Sequence, residues 1–144
     1  FIPDESLMEA VTTACYRGVR VELYVSEKSD QPMVGHAQAS YYSELLKAGV
    51  HMYLYPYPKV LHSKFAIADG EIAVMGSSNM DMRSFGLNYE ISLMVGKGEL
   101  LDALRSLTDD YRQRSALLTE EQWSTRPLYK QYVDNVARLT SALQ

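Results

Sequence analysis

An α/β sandwich, with helices covering a mixed sheet, is the fold class this sequence predicts. Three observations carry that expectation. Short apolar or alternating runs of strand character recur along the chain, and segments of helical period stand between them. Glycine, proline and Asx residues sit where one kind of segment gives way to the other. The two kinds alternate instead of falling into blocks, the order that layers helices on a sheet. At 144 residues, 47% apolar and 22% charged, the chain reads as one domain large enough to bury a core.

Each element has a local reason. Asp4, after Pro3, is placed to cap a first helix. Leu7, Met8, Val11, Ala14 and Cys15 then recur at helical spacing, and Gly18 ends the run. Residues 19–25 alternate as a strand. Residues 26–35 read as a loop broken by Pro32 and Gly35. A helix follows to about Lys47, closed by Gly49. Residues 50–55 form a second strand, and Pro56 and Pro58 make 55–58 a stiff extended connector. Residues 60–68 read as a strand, Asp69-Gly70 as a hairpin turn, and 71–75 as the returning strand. Residues 88–95 form another strand and 99–115 a helix. Thr119 and Gln122 have the spacing of a capping box for a short helix. Pro127 suits a first helical turn. Leu128, Tyr132, Val136 and Leu139 give a final amphipathic helix its apolar face.

Composition narrows the function. A net charge of −4 argues against a general grip on nucleic acid, which needs a basic surface. A single cysteine, Cys15, excludes an internal disulfide, and its place on the apolar face of the first helix assigns it to packing. No apolar run reaches 18 residues, so the membrane-spanning pattern is missing from this sequence.

The chemistry is concentrated in one stretch. His62-Ser63-Lys64 is followed after four residues by Asp69, and after six more by Gly76-Ser77-Ser78-Asn79. In a strand over 60–68, His62 and Lys64 would share a face. A neutral imidazole can attack phosphorus, and an ammonium beside it can hold phosphate oxygens as charge develops. Ser77 and Asn79 add neutral hydrogen-bond partners. Asp69 lies an odd number of residues from Lys64 and faces the other way, so it reads as a turn residue outside the chemistry. A lone His-x-Lys is usually a polar strand edge; six specified positions at fixed gaps are not. No histidine or carboxylate pair has ligand spacing with His62, so no metal and no other cofactor is expected.

This pattern resembles the signature of the phospholipase D superfamily, His-x-Lys, four residues, Asp, six residues, Gly-Ser-x-Asn, with no departure in type or spacing. The flanking segments Phe1-Ile2-Pro3-Asp4, Lys28-Ser29-Asp30, Tyr41-Tyr42-Ser43-Glu44 and Met80-Asp81-Met82-Arg83-Ser84-Phe85 are similar to the C-terminal catalytic half of bacterial cardiolipin synthases. The likeness runs from residue 1 to about residue 95, and more loosely through Arg126-Pro127-Leu128-Tyr129. It implies a phospholipase D-like α/β sandwich over residues 1–144, one half of a two-motif enzyme that lacks the first strand of its relatives. It makes His62 and Lys64 catalytic, Ser77 and Asn79 phosphate-binding, and Glu90 the carboxylate that holds the reactive histidine by its other ring nitrogen. It implies phosphatidylglycerol or a related phospholipid as substrate and a second phospholipase D-like half, in tandem or by dimerisation, with no specific nucleic acid. It places the full-length protein at the bacterial cell membrane through segments outside this chain, the chain itself being soluble.

Three functions fit these residues. One is phosphatidyl transfer between phosphatidylglycerol molecules through a phosphohistidine. The second is a phospholipase D or nuclease that uses water as acceptor. The third is an inert half-domain that binds lipid or a partner. His62 is either nucleophile or acid/base, and one half does not decide between these roles. Tyr41, Tyr42, Tyr53, Tyr55 and Tyr57 crowd into a short stretch. Packing between helix and sheet is the commoner reason for such a cluster, and a lipid entrance the rarer one. Asp81, Arg83 and Ser84 are either polar positions of a helical turn or contacts to a headgroup.

Overall fold

The structure, a computed structural model, describes residues 1–139. Its strands form two three-stranded sheets, where a single mixed sheet was expected. The first holds β1 (Glu22–Ser26), β2 (His51–Tyr55) and β6 (Ala116–Leu118). β2 is its central strand, parallel to β1 and antiparallel to β6. The second sheet holds β3 (Phe65–Ala68), β4 (Ile72–Gly76) and β5 (Ser92–Val95) as an antiparallel meander.

Helices cover the first sheet. α1 (Glu5–Tyr16) begins where Asp4 accepts a hydrogen bond from the Leu7 N–H at 2.8 Å. Pro32, expected to break the chain, instead opens α2 (Pro32–Ala39), because its missing N–H costs nothing in a first turn. The helix expected to run on to Lys47 bends at Ser40-Tyr41 and resumes as α3 (Tyr42–Ala48). Gly49 closes it at φ 96°, a left-handed cap that glycine takes without strain. Met8, Val25, Leu45, Leu46 and Met52 form the main core, with Cys15 packed at its edge. Tyr41, Tyr42, Tyr53 and Tyr55 are buried and Tyr57 is exposed, so the tyrosine cluster is packing.

α5 (Glu99–Arg114) lies between the two sheets. Leu101 and Leu104 pack on Ala73, Phe65, Ile67, Met75 and Val95 of the second sheet. Tyr111, one helical turn from its end, meets the rings of Tyr24 and Tyr55 in the first sheet and of Phe65 in the second. Glu22 is clamped beside it by Arg112 at 2.8 Å and by the Tyr24 hydroxyl at 2.6 Å.

The short α6 (Glu120–Ser124) begins with both bonds of the expected capping box: Gln122 N–H to Thr119 Oγ1 at 3.2 Å, and Thr119 N–H to Gln122 Oε1 at 3.1 Å. α7 (Leu128–Arg138) packs on α2 in the opposite sense to expectation. The buried side of α7 carries Asp134 and Ala137, whereas Leu128, Tyr132, Val136 and Leu139 face outward. The reason is a buried charge cluster. Asp134 accepts from His36 Nδ1 of α2 at 2.7 Å and from the Arg126 guanidinium, which lies 3.4 Å from the centre of the Trp123 ring. A carboxylate so paired can be buried, and it takes the inward side of the helix.

Candidate active site

The meander brings the motif together at one end of the second sheet. β3 starts there, β4 finishes there and β5 starts there. The Gly76 N–H donates to the Lys64 carbonyl at 3.0 Å, and Gly76 stands opposite Ser92. Lys64, Ser77 and Glu90 are therefore neighbours, although they are far apart in sequence. The hairpin that makes this possible turns at Asp69 (φ 53°) and Gly70 (φ 69°). Two consecutive left-handed residues define the tight turn that matches the strand twist. Asp69 thus sits at the opposite end of the strand from the site, as a turn residue.

The strand begins later than the sequence suggested: it starts at Phe65, not at residue 60. Beyond Gly76 the chain of β4 leaves the ladder, and the Ser77 N–H bonds to the Ile91 carbonyl at 3.0 Å. Among the described residues no strand runs beside residues 60–63, and side-chain hydroxyls hold them. Ser26 Oγ, at the end of β1, accepts from the Leu61 N–H at 2.9 Å, and the Ser63 and Tyr111 hydroxyls are 2.6 Å apart. The period-two argument that put His62 and Lys64 on one strand face does not apply. The imidazole of His62 is exposed, and Lys64 Nζ donates to the His62 carbonyl oxygen at 3.1 Å.

Glu90 also precedes its strand. Its carboxylate accepts from the Ser77 hydroxyl and from Asn88 Nδ2 at 3.4 Å. The expected bond from Glu90 to His62 is not among its contacts; Ser77, the residue immediately after the β4 ladder, takes that place. The Ser77 bond, supported by Ser84 and Asn88 and by the nearby Lys64 ammonium, holds the Glu90 carboxyl below the usual carboxylate range despite partial desolvation. Ser77 Oγ also accepts from the Ile91 N–H at 3.0 Å. Its hydrogen is committed to Glu90, so in this arrangement Ser77 positions Glu90 and has no proton left for a phosphate oxygen.

Asn79 is exposed at the same end, with its backbone N–H on Ser84 Oγ at 3.2 Å. Asp81 caps the short α4 (Met82–Gly86) by accepting from the Ser84 N–H at 2.7 Å. Of the polar residues after Asn79, then, Asp81 and Ser84 serve the turn. Ser84 is buried against Asn79 and Glu90, a supporting role that spacing alone did not reveal. Gly76 has a steric reason of its own: a Cβ there would overlap the Ile91 carbonyl oxygen and lie 2.8 Å from Ser92 Cα. The arrangement presents an exposed imidazole, an ammonium and an ionised carboxylate on an open surface, parts suited to nucleophilic and acid–base work on an anion.

Comparison with known proteins fits this geometry. The family described as "Cardiolipin synthase, PLD-like domain" matches residues 1–111. Cardiolipin synthase A of Klebsiella pneumoniae is 38% identical over 143 residues, which cover 99% of this chain and 29% of the relative. Cardiolipin synthase A of Yersinia pseudotuberculosis matches with the same figures. The chain spans less than a third of the length of these relatives. Among solved structures, the phospholipase D family member Nuc from Salmonella typhimurium has a TM-score of 0.64 at 16% identity, over 82% of this chain and 76% of that one. Phosphatidylserine synthase from Haemophilus influenzae reaches 0.75 at 16% identity, over all of this chain and 40% of its own. At such identity these two establish the phospholipase D fold.

Proposed function

Since the chain belongs to the cardiolipin synthase, phospholipase D-like domain family, we propose that it is one catalytic half of a phosphatidyltransferase that joins two phosphatidylglycerol molecules into cardiolipin. One histidine attacks the phosphorus of the first lipid and the phosphorus–glycerol oxygen bond breaks, leaving a phosphohistidine. A second histidine gives its proton to the departing glycerol. It then takes the proton of the incoming lipid hydroxyl, which attacks phosphorus and frees the first histidine. His62 fills one of these roles, and its counterpart comes from a second half of the same kind. Lys64 and Asn79 hold the phosphoryl oxygens. Glu90, fixed by Ser77 and Ser84, sets the negative potential beside them. The outer face of the second sheet supports a second half seated against it. Ile72, Val74 and Met94 lie there exposed, an apolar patch of the kind that marks an interface.

The observation that carries this reading is the meeting of Lys64, Ser77 and Glu90 next to an exposed His62, in a chain of this family. Labelled phosphatidylglycerol supplied to the two-half enzyme tests it. Cardiolipin plus glycerol is the expected product, and His62→Ala should lower its formation by about 10²–10⁴-fold. Phosphatidic acid as the sole product would show water as the acceptor. Full turnover by His62→Ala would remove His62 from the chemistry.

A further inference from the structure

We propose that Arg83 receives the phosphate of the acceptor lipid, so that two phosphodiesters meet on two cations, the donor's on Lys64 and the acceptor's on Arg83. The proposal rests on the transferase reading above, and names the group that selects a phospholipid over water as acceptor. Its starting point is a side chain that the local structure leaves unused. Asp81 caps α4, and Ser84 supports Asn79 and Glu90. The Arg83 side chain, by contrast, is exposed and makes no hydrogen bond, ion pair or ring contact among the described residues. Arg20, Arg105, Arg112, Arg114, Arg126 and Arg138 all lie against carboxylates. The backbone at Arg83 is fastened to the site on two sides. Its carbonyl accepts from the Leu87 and Asn88 N–H groups, both at 2.9 Å, and Asn88 Nδ2 reaches Glu90 at 3.4 Å. Ser84, the next residue, is buried, and its hydroxyl accepts from the Asn79 N–H at 3.2 Å. A free guanidinium is thus rooted beside Glu90 and Asn79.

The chemistry of the acceptor calls for such a group. Joining two phosphatidylglycerol molecules brings two phosphodiester monoanions to one place, separated by a single glycerol bridge. Lys64 and Glu90 carry opposite charges close together, so between them they leave nothing to offset the second anion's repulsion by the first. A guanidinium stays charged at every working pH, and its planar fork binds two phosphate oxygens at once. Leu87, four residues on and exposed at 75%, stands on the same side of α4 as Arg83. A cation with an apolar neighbour suits an anionic amphiphile. Water brings no charge, and neither does free glycerol, so a hydrolase would have no use for Arg83 in this place. Arg83 forms no covalent bond in the reaction. The acceptor hydroxyl gives its proton to the acid/base histidine, its oxygen bonds to phosphorus, and the bond from phosphorus to the nucleophilic histidine breaks. Arg83 holds the acceptor's own phosphate while this happens.

The test compares two fates of one phosphohistidine in the two-half enzyme. One is cardiolipin formation from labelled phosphatidylglycerol. The other is exchange of free labelled glycerol into phosphatidylglycerol, which uses an acceptor without a phosphate. Arg83→Met should lower the ratio of cardiolipin formed to glycerol exchanged by about ten- to a hundredfold, the loss of one charge-assisted contact. Arg83→Lys should recover part of that ratio, because the charge returns without the fork. An unmoved ratio overturns the proposal. Equal loss in both reactions would put Arg83 on the donor phosphate or in the fold, and full activity in both would leave it a surface residue. In either case the wild type still makes cardiolipin, and the transferase reading stands. A wild-type enzyme that exchanges glycerol but makes no cardiolipin overturns that reading, and this proposal with it.

Discussion

Glu90 and Lys64 act on each other before any substrate arrives. The Ser77 bond, with lesser help from Ser84, Asn88 and the Lys64 charge, keeps Glu90 ionised below the usual carboxylate range. Its folded value is depressed, so its charge is fully present above that range and is lost only at more acid pH. Protonation of Glu90 should therefore contribute to the acid limb of turnover only below the pH at which a free glutamate protonates. Glu90→Gln keeps an acceptor for Ser77 but loses the charge. It should lower kcat by roughly ten- to a hundredfold, about one charge-assisted bond, and less than His62→Ala. Steady-state kinetics of the two variants decides; equal losses would make Glu90 a direct participant. Lys64→Met should cost at least as much as Glu90→Gln in kcat/KM, because the phosphodiester monoanion loses its ammonium partner. A variant within twofold of wild type would show that Lys64 stays on the His62 carbonyl during the reaction.

At the scale of elements, the signature glycine is a packing requirement. Gly76→Ala drives a methyl group into the Ile91 carbonyl, and β4 must part from the start of β5. A loss of about 1–3 kcal/mol in denaturant unfolding is expected, with a larger loss of activity because Ser77 and Glu90 hang on that junction. Glu22 binds the first sheet to α5. Burial alone would raise its pKa, but bonds from Tyr24, Arg112 and Arg20 lower it to about 2. Its stabilisation is present above the ordinary carboxylate range and fades as pH falls through that range toward 2. The melting-temperature gap between wild type and Glu22→Gln should close over the same window. Caps were legible in the sequence because they are local: Asp4, Gly49, Thr119 with Gln122, and the Asp69-Gly70 turn all stand where spacing put them. Strand limits were not. The start of β3 is set by where β4 stops, and the three residues of β6 owe their form to pairing with β2. The period of α7 revealed a helix with two faces. Which face turned inward depended on His36, ninety-eight residues away from Asp134. In the site, the residue types and gaps were legible, but the pairing of Glu90 with Ser77 was not, because it depends on where β4 leaves the ladder.

At the scale of the molecule, two sheets on either side of α5 leave the outer face of the second uncovered. Ile72, Val74 and Met94 there should drive association of the isolated chain. Sedimentation velocity should show dimers or larger species that Val74→Asp disperses. A monomer at the highest soluble concentration would argue that this face meets only the second half. The same layering has a mechanical meaning. Leu61 and Ser63 fasten the His62 segment to Ser26 of the first sheet and to Tyr111 of α5, whereas Lys64 is already bonded into the second sheet through Gly76. The two reactive side chains, adjacent but one in sequence, therefore take their positions from different frames. Sliding one sheet past the other by a fraction of an ångström alters the spacing of imidazole and ammonium directly. The motif behaves as a gauge of alignment between the two sheets, and Tyr111, in contact with both, sets its zero.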